Sequence, residues 1–180
     1  GEVTDAPGEV YQMLSNADMA FPTVEGPDGD ERPITLSNFT KLQKHPDRAF
    51  RRRVYEAFYD EWEGVRNAVG TAYRKSVTTD QKLADARNFD TAREASLAGP
   101  NIPVTVYDTL VDTVRDNLDT LHRHAELKRD ARGLDELRMW DLYTPMVEGE
   151  SPDIPYHQAR EYVIDAVAPL GEAYQSRLAE

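Results

Sequence analysis

Histidine is the first side chain to consider for metal chemistry, because its imidazole is the commonest protein ligand of metal ions. The chain has four histidines, His45, His122, His124 and His157. His122 and His124 stand two residues apart on a predicted helix, so their side chains point about 200° apart and cannot share a metal ion. A two-histidine zinc helix needs the spacing of four found in His-Glu-x-x-His, a motif that this sequence lacks. We therefore predict surface histidines and assign no metal ligand in this chain.

Four aspartates form a second set of possible cation ligands. Asp108, Asp112, Asp116 and Asp119 fall on nearly one face of a predicted helix. Like charges at these spacings most simply form a solvated acidic face, and we prefer that interpretation to a cation site. The sequence also has no cysteine, no glycine-rich phosphate loop and no serine in a nucleophile motif. The residues alone therefore indicate a helical domain with no catalytic residue that can be recognised.

The charge balance excludes one class of partner and indicates an environment. Asp and Glu total 33 against 21 Lys and Arg, giving a net charge of −12. We therefore expect no binding to nucleic acid, which needs a cationic surface. The basic residues are 16 arginines and 5 lysines. Many carboxylates with few lysines are typical of proteins that work in concentrated salt, and an ordinary acidic mesophilic protein is the alternative.

The apolar segments bear on location. Hydrophobic residues make up 39% of the chain, yet their longest runs are only a few residues, far short of a membrane span. We therefore expect no membrane partner. The absence of cysteine fits a cytoplasmic protein.

The first 45 residues are expected to combine short helices with one pair of strands. Residues Thr4 to Asp18 carry apolar side chains at helical spacing. Two short extended runs flank the turn sequence Gly-Pro-Asp-Gly-Asp, which predicts a β-hairpin near residues 20–36. Ser37 or Asn38 could begin a short helix that continues through Leu42.

A long helix is predicted to start at Pro46-Asp47. Its apolar stripe comprises Phe50, Val54, Phe58, Trp62, Val65, Val69, Ala72, Tyr73 and Val77. The triplet Arg51-Arg52-Arg53 lies inside it, and because consecutive helix positions fan out around the axis, we expect solvated or ion-paired arginines. The helical pattern continues to Leu97, with a break expected near Asn88–Thr91.

Two further helices complete the prediction. One opens at Ile102-Pro103 and ends at Gly133; its expected buried face comprises Val106 or Tyr107, Leu110, Val114, Leu118, Leu121 and Ala125. The other opens at Pro155 and should be kinked by Pro169. The expected fold class is therefore mainly α, with long antiparallel helices and one short β-hairpin.

Several phrases, taken in order, resemble the oligoendopeptidase F family of thimet oligopeptidase-like zinc metallopeptidases. They are residues 33–39, 46–58, 86–97, 101–110, 139–146, 155–163 and 169–174, and they occur in the family's order and spacing. The resemblance implies a helical peptidase with a channel that hydrolyses short oligopeptides. It also implies a zinc ion held by a His-Glu-x-x-His helix and a downstream Glu, all beyond Glu180.

The resemblance therefore implies that this chain is an internal fragment, from a haloarchaeon if the acidic surface is a salt adaptation. Residues 1–45 would end an N-terminal domain, and residues 46–180 would form the first part of the catalytic-domain channel wall. Its expected partners are the missing C-terminal half and the oligopeptide substrate of the full-length zinc enzyme. Alone, the chain should be inactive, and its uncovered apolar faces could self-associate. The alternative is a free-standing helical binding module without enzymatic activity.

Two phrases are the candidates for the channel wall under this resemblance. The first contains Arg87, Asn88 and Phe89, where the family usually has Arg-x-Tyr-x-Ser, so that Phe89 and Thr91 depart from its pattern. The second contains Trp140, Asp141 and Tyr143. The alternative for both is helix-to-helix packing, with Asp141 as a cap or an ion-pair partner.

The excess of carboxylates predicts that salt stabilises the fold. Raising KCl to about 1 M shortens the Debye length to about 3 Å and screens the repulsion among acidic groups. We expect the thermal midpoint, followed by circular dichroism, to rise steadily from low to molar KCl. A flat or falling series would contradict salt adaptation.

Overall fold

The computed structural model describes residues 2–146 and 154–179. The chain divides into two compact units, Gly1–Met146 and Val147–Glu180. In the described residues, eight α-helices and one two-stranded antiparallel sheet account for the regular structure, together with short 3₁₀ and π turns. This confirms the predicted mainly α fold with one hairpin.

The hairpin lies where the Gly/Pro/Asp turn predicted it. Helix α1 (Glu2–Met13) runs into a π-helical turn at Leu14–Asp18, and strands β1 (Thr23–Glu25) and β2 (Glu31–Pro33) follow. The strands pair with Val24 opposite Arg32. Gly29 adopts a φ of 83°, a left-handed conformation that a side chain would disfavour. The turn is therefore specified by its glycine.

One apolar core joins the hairpin to the helices that follow it. Its buried members are Ile34, Phe39, Phe50, Val54 and Phe58. The ring of Phe58 stacks on Phe39, with centroids 4.1 Å apart, and on Phe21, at 4.7 Å. Short helix α2 (Phe39–Leu42) and the first turns of the next helix thus pack on the strands around one aromatic cluster.

Helix α3 (Arg48–Ala86) is the longest element, with 39 residues and a length of about 58 Å. It begins at Asp47, whose carboxylate accepts a 2.6 Å hydrogen bond from the Phe50 N–H. The predicted break after it is confirmed, since Asn88 has a φ of 61° and α4 (Ala92–Ala98) begins beyond it. Helix α1 packs along α3, with Tyr11 stacked on Trp62.

The predicted helix after Pro103 differs from the structure in two ways. It is split at Asn117 into α5 (Val104–Asp116) and α6 (Leu118–Ala131). Its expected buried face is exposed, which corrects our prediction: Val106, Tyr107, Leu110, Val114, Leu118 and Leu121 are all between 38% and 61% exposed, and only Ala125 is half-buried. Periodicity identified the apolar face correctly, but no described element covers it.

The remaining elements are short. A 3₁₀ turn at Met139–Asp141 ends the regular structure of the first unit. The second unit contains α7 (Tyr156–Ala166), a 3₁₀ turn at Ala168–Leu170 and α8 (Glu172–Ala179). Pro169 therefore does more than kink the predicted helix, since the 3₁₀ turn and Gly171, with a φ of 95°, separate two helices.

No helix among the described residues combines the length and the apolar character that a membrane span requires. The predicted boundary at residues 45 and 46 concerns the domains of a longer protein and stays a prediction.

The aromatic core predicts a large stability difference between two positions on α3. Phe50 is 1% exposed, so Phe50→Ala should lower the free energy of unfolding by about 3–5 kcal/mol. Tyr73 is 71% exposed on the same helix, and Tyr73→Ala should change it by less than about 0.5 kcal/mol. Urea denaturation of both variants would test this, and equal losses would contradict the described core.

Candidate functional site

Arg51 is the largest fully buried side chain of the described residues. Only 2% of its side chain is exposed. Its guanidinium donates four hydrogen bonds: Nε to the Trp140 carbonyl (2.8 Å), Nη1 to the carbonyls of His45 (2.8 Å) and Pro46 (2.9 Å), and Nη2 to Asp141 Oδ1 (2.9 Å). One arginine on α3 thus holds both the preceding loop and the 139–141 turn.

Asp141 is the centre of this network. Its Oδ1 accepts from Arg48 Nε (3.0 Å) and Arg51 Nη2, and its Oδ2 accepts from Arg48 Nη2 (2.8 Å) and the Arg138 N–H (3.0 Å). Its carbonyl accepts from the Thr144 hydroxyl at 2.7 Å. Every lone pair of this buried carboxylate has a donor, as a buried charge requires.

The environment shifts two pKa values in this cluster. Burial by itself would raise the pKa of Asp141, but the hydrogen bonds from Arg48, the Arg138 N–H and Arg51 outweigh it and hold the pKa below its ordinary value. Burial, with help from nearby Arg132 and Arg51, lowers the pKa of Lys128, although the charge of Asp141 acts in the other direction. The Lys128 ammonium donates to the Leu142 carbonyl and so binds α6 to the same turn.

Gln43 is fully buried next to Arg51. Its Nε2 donates to the Arg51 carbonyl at 2.8 Å, whereas its Oε1 has no hydrogen-bond partner among the described residues.

The hydrogen bonds to Asp141 and to the Trp140 carbonyl hold the 139–141 turn, and Trp140 and Tyr143 lie on or next to that turn. Trp140 is half-buried; its ring meets Tyr55 edge-on at 5.8 Å, and the Arg52 guanidinium lies 5.4 Å from its centroid. Tyr143 is 47% exposed. In the second candidate phrase, Asp141 is therefore a buried ion-pair partner. Trp140 is partly accessible to solvent, and Tyr143 is more accessible.

The first candidate phrase forms the C-terminal end of α3. Arg87 and Asn88 are exposed, and Phe89 is half-buried with its N–H bonded to the Ala84 carbonyl. Thr91 caps α4 by accepting a hydrogen bond from the Glu94 N–H at 3.1 Å. The departure from Ser to Thr at this position therefore keeps a capping hydroxyl. Phe89 has no phenolic group to donate.

The two candidate phrases do not form one site. Arg51, near the start of α3, contacts Trp140 and Asp141, whereas Arg87 caps the other end of that helix 36 positions later. About 50 Å along the helix therefore separates the two phrases. Each phrase must therefore be considered on its own.

The other sequence candidates are scattered. His45 precedes α3, His122 and His124 are exposed on α6, and His157 is exposed on α7. Asp108 pairs with Arg93 at 2.6 Å, and the other three aspartates of the acidic face are exposed. In residues 2–146 and 154–179, no group of three or more His, Asp or Glu side chains could hold a metal ion.

Sequence reasoning missed the role of Arg51, and one signal could have revealed it. Arg51 precedes Val54 by three residues and Phe58 by seven, which places it on the buried stripe and apart from Arg52 and Arg53. Arg52 is exposed and pairs with Glu56, and Arg53 is exposed and donates to the Glu25 carbonyl, as expected for solvated or ion-paired arginines; the burial of Arg51 was not expected. Lys128 and Arg48 carried no comparable signal.

Known proteins match nearly the whole chain. Residues 41–170 match the family described as Peptidase family M3. The chain is 35% identical over 99% of its length to oligopeptidase PepF of Bacillus subtilis, and 33% identical over 98% to group B oligopeptidase PepB of Streptococcus agalactiae. The crystal structure of oligoendopeptidase-F from Enterococcus faecium matches 99% of the chain, with a TM-score of 0.81 and 36% identity. The chain spans 27%, 29% and 33% of the three matched chains, respectively.

The buried ion pair predicts a pH-dependent loss of stability. Asp141→Asn removes the charge that faces Arg51 and should lower the free energy of unfolding by about 3–5 kcal/mol at neutral pH. Because the pKa of Asp141 is depressed in the fold, its contribution is present above the unfolded-state pKa and is lost as pH falls through the folded-state pKa. The difference in the free energy of unfolding between wild type and Asp141→Asn should therefore become smaller as the pH falls.

Glu56→Gln is the matched control, because it breaks the exposed Arg52–Glu56 pair on the same helix. Glu56→Gln should lower the free energy of unfolding by less than about 1 kcal/mol. Urea unfolding of the three proteins between pH 7 and pH 2 measures both effects, and a pH-independent gap for Asp141→Asn would refute the assignment.

Proposed function

The chain belongs to peptidase family M3, and from this premise we propose that it is one segment of a longer zinc-dependent oligoendopeptidase that hydrolyses short peptides. The observation that carries the proposal is the structural match to oligoendopeptidase-F, which covers 99% of this chain at 36% identity. The relatives in sequence are also named oligopeptidases.

Zinc would have to be held outside the described residues. His45, the pair His122 and His124 on α6, and His157 lie on three separate parts of the chain, and carboxylate groups alone suit magnesium or calcium better than zinc. The described residues of this chain therefore do not fit a zinc site, and we assign no catalytic step to them.

The part proposed for this chain is to form a wall of the peptide channel. Arg51 holds the 139–141 turn through hydrogen bonds to the Trp140 carbonyl and the Asp141 carboxylate. Trp140 and the nearby Tyr143 would therefore extend from a backbone that is held in one conformation. Arg87, Asn88 and Phe89 would contribute a second part of the wall at the far end of α3. Side chains on a rigid backbone lose less conformational entropy when a peptide binds, which favours binding.

The exposed apolar stripe of α5 and α6 supports a place within a larger protein. Tyr107, Leu110, Val114 and Leu121 are each at least 45% exposed and follow one another at helical spacing. A contiguous apolar face of this kind marks a contact surface. We propose that the missing catalytic half of the enzyme covers it, and that the isolated chain self-associates through it.

The remaining proposals concern the setting. The absence of cysteine supports a cytoplasmic location, and the net charge of −12 supports a salt-adapted, haloarchaeal source.

The isolated 180-residue chain should neither bind zinc stoichiometrically nor cleave a peptide, because zinc catalysis requires three protein ligands and an open position. Calorimetric titration with zinc at neutral pH and turnover of a quenched fluorescent peptide measure the two properties. The matched positive control is a gene product that continues from this segment into a His-Glu-x-x-His segment, which should cleave the peptide until a chelator is added. Chelator-sensitive cleavage by the isolated chain would place the active site within it, and an inactive longer product would refute the proposed function.

A further inference from the structure

A cleft of about 440 Å³ lies between the C-terminal turns of α3 and helix α4. We call it the α3–α4 cleft. Asp80 lines it from α3, Arg87 lines it from the C-terminal cap of α3, and Arg93 and Ser96 line it from α4. The rest of its lining is apolar and consists of Leu83, Ala84, Ala92 and Ala95.

The cationic end of the cleft has unused hydrogen-bond donors. The Arg87 guanidinium makes no hydrogen bond or ion pair with any described residue. Arg93 is oriented by its 2.6 Å ion pair with Asp108 and by the Tyr107 ring, 5.5 Å away, yet 45% of its side chain remains exposed. A guanidinium has five N–H donors, so one ion pair leaves others for a ligand. Arg87 and Arg93 both line the cleft, so their remaining donors could bind a carboxylate there.

The anionic end is Asp80, which is exposed and has no partner among the described residues. Asp80 lies on α3 and Arg87 is the residue that caps its C-terminus seven positions later, so their backbones are about 10 Å apart along the helix axis and near one face. An extended peptide rises about 3.3–3.6 Å per residue, so the ammonium and the carboxylate of a tripeptide are separated by a similar distance.

We propose that the α3–α4 cleft binds short zwitterionic peptides, with the C-terminal carboxylate on Arg87 and Arg93 and the N-terminal ammonium at Asp80. This inference rests on the proposed function, since it names unblocked peptides of about three residues as ligands of the same protein. A simple anion such as inorganic phosphate fits less well, because it would meet Asp80, the net charge of −12 and the carbonyl end of α3.

A purely structural role for Arg87 makes a different prediction. A cation at the C-terminal end of a helix stabilises the helix dipole, so Arg87 could serve only α3. In that case, replacing Arg87 would lower the thermal midpoint and leave peptide binding unchanged. Binding measurements with blocked and unblocked peptides therefore separate the two roles.

The test uses the isolated 180-residue chain and trialanine, followed by calorimetry or by amide chemical shifts. Trialanine amide lacks the carboxylate and should bind about tenfold more weakly, as expected for a lost charge-assisted contact. N-acetyl-trialanine lacks the ammonium and should also bind more weakly. Arg87→Gln should weaken trialanine binding about tenfold and abolish the difference between trialanine and its amide. Asp80→Asn should abolish the difference between trialanine and its acetylated form.

Arg74→Gln is the control, because Arg74 is an exposed arginine on α3 that does not line the cleft. It should leave trialanine binding unchanged. Equal affinity for trialanine and its amide, tighter binding of phosphate than of trialanine, or an equal loss in Arg74→Gln and Arg87→Gln would each overturn the proposal. Because no hydrolysis is measured, this result stands apart from the failure of the longer gene product to cleave peptides.

Discussion

The buried pair between Arg51 and Asp141 is the constraint on which the first unit depends. The two residues are separated by 90 positions, and both side chains are almost completely excluded from solvent. Removing two charges from water costs several kcal/mol per ion unless their hydrogen-bonding groups are satisfied. Here the donors of Arg51 meet three carbonyls and a carboxylate, so the loop before α3 and the 139–141 turn must both adopt one geometry for the pair to form.

The Arg51–Asp141 pair joins α3 to the 139–141 turn, a contact that helical periodicity in the sequence does not predict. The stripe beginning at Phe50 predicted α3, and the glycine-containing turn predicted the hairpin, because both signals are local. The pairing of Arg51 with Asp141 is not local: the apolar stripe can place Arg51 on the buried side of α3, but it does not identify a partner 90 positions away. The resemblance singled out Trp140 and Asp141 as a phrase, and the structure supplied the partner that explains why the aspartate is there.

The failures of prediction have a different cause. An apolar stripe tells which side of a helix avoids water when a partner is present, and α5 and α6 have the stripe without a described partner. The break at Asn117 escaped notice because its side chain bonds back to the Thr113 carbonyl at 2.8 Å, a local competition with the helix that asparagine makes only in some contexts. The sequence could not reveal the α3–α4 cleft either, since it is lined by Asp80 and Arg93 from two separate helices.

The length of α3 carries a mechanical consequence. Between Tyr73 and Leu83 no described residue is buried, whereas Phe50, Val54 and Phe58 anchor one end of the helix and Ala84 is enclosed at the other. Residues 73–83 lie in the C-terminal half of α3, between buried Ala72 and Ala84, and are held mainly by the backbone hydrogen bonds of the helix itself. Such sections open more readily than packed ones and exchange their amide protons sooner. Because Asp80 and Leu83 belong to this section, its local opening would also displace one side of the α3–α4 cleft, while the ion-paired start of the helix stays packed.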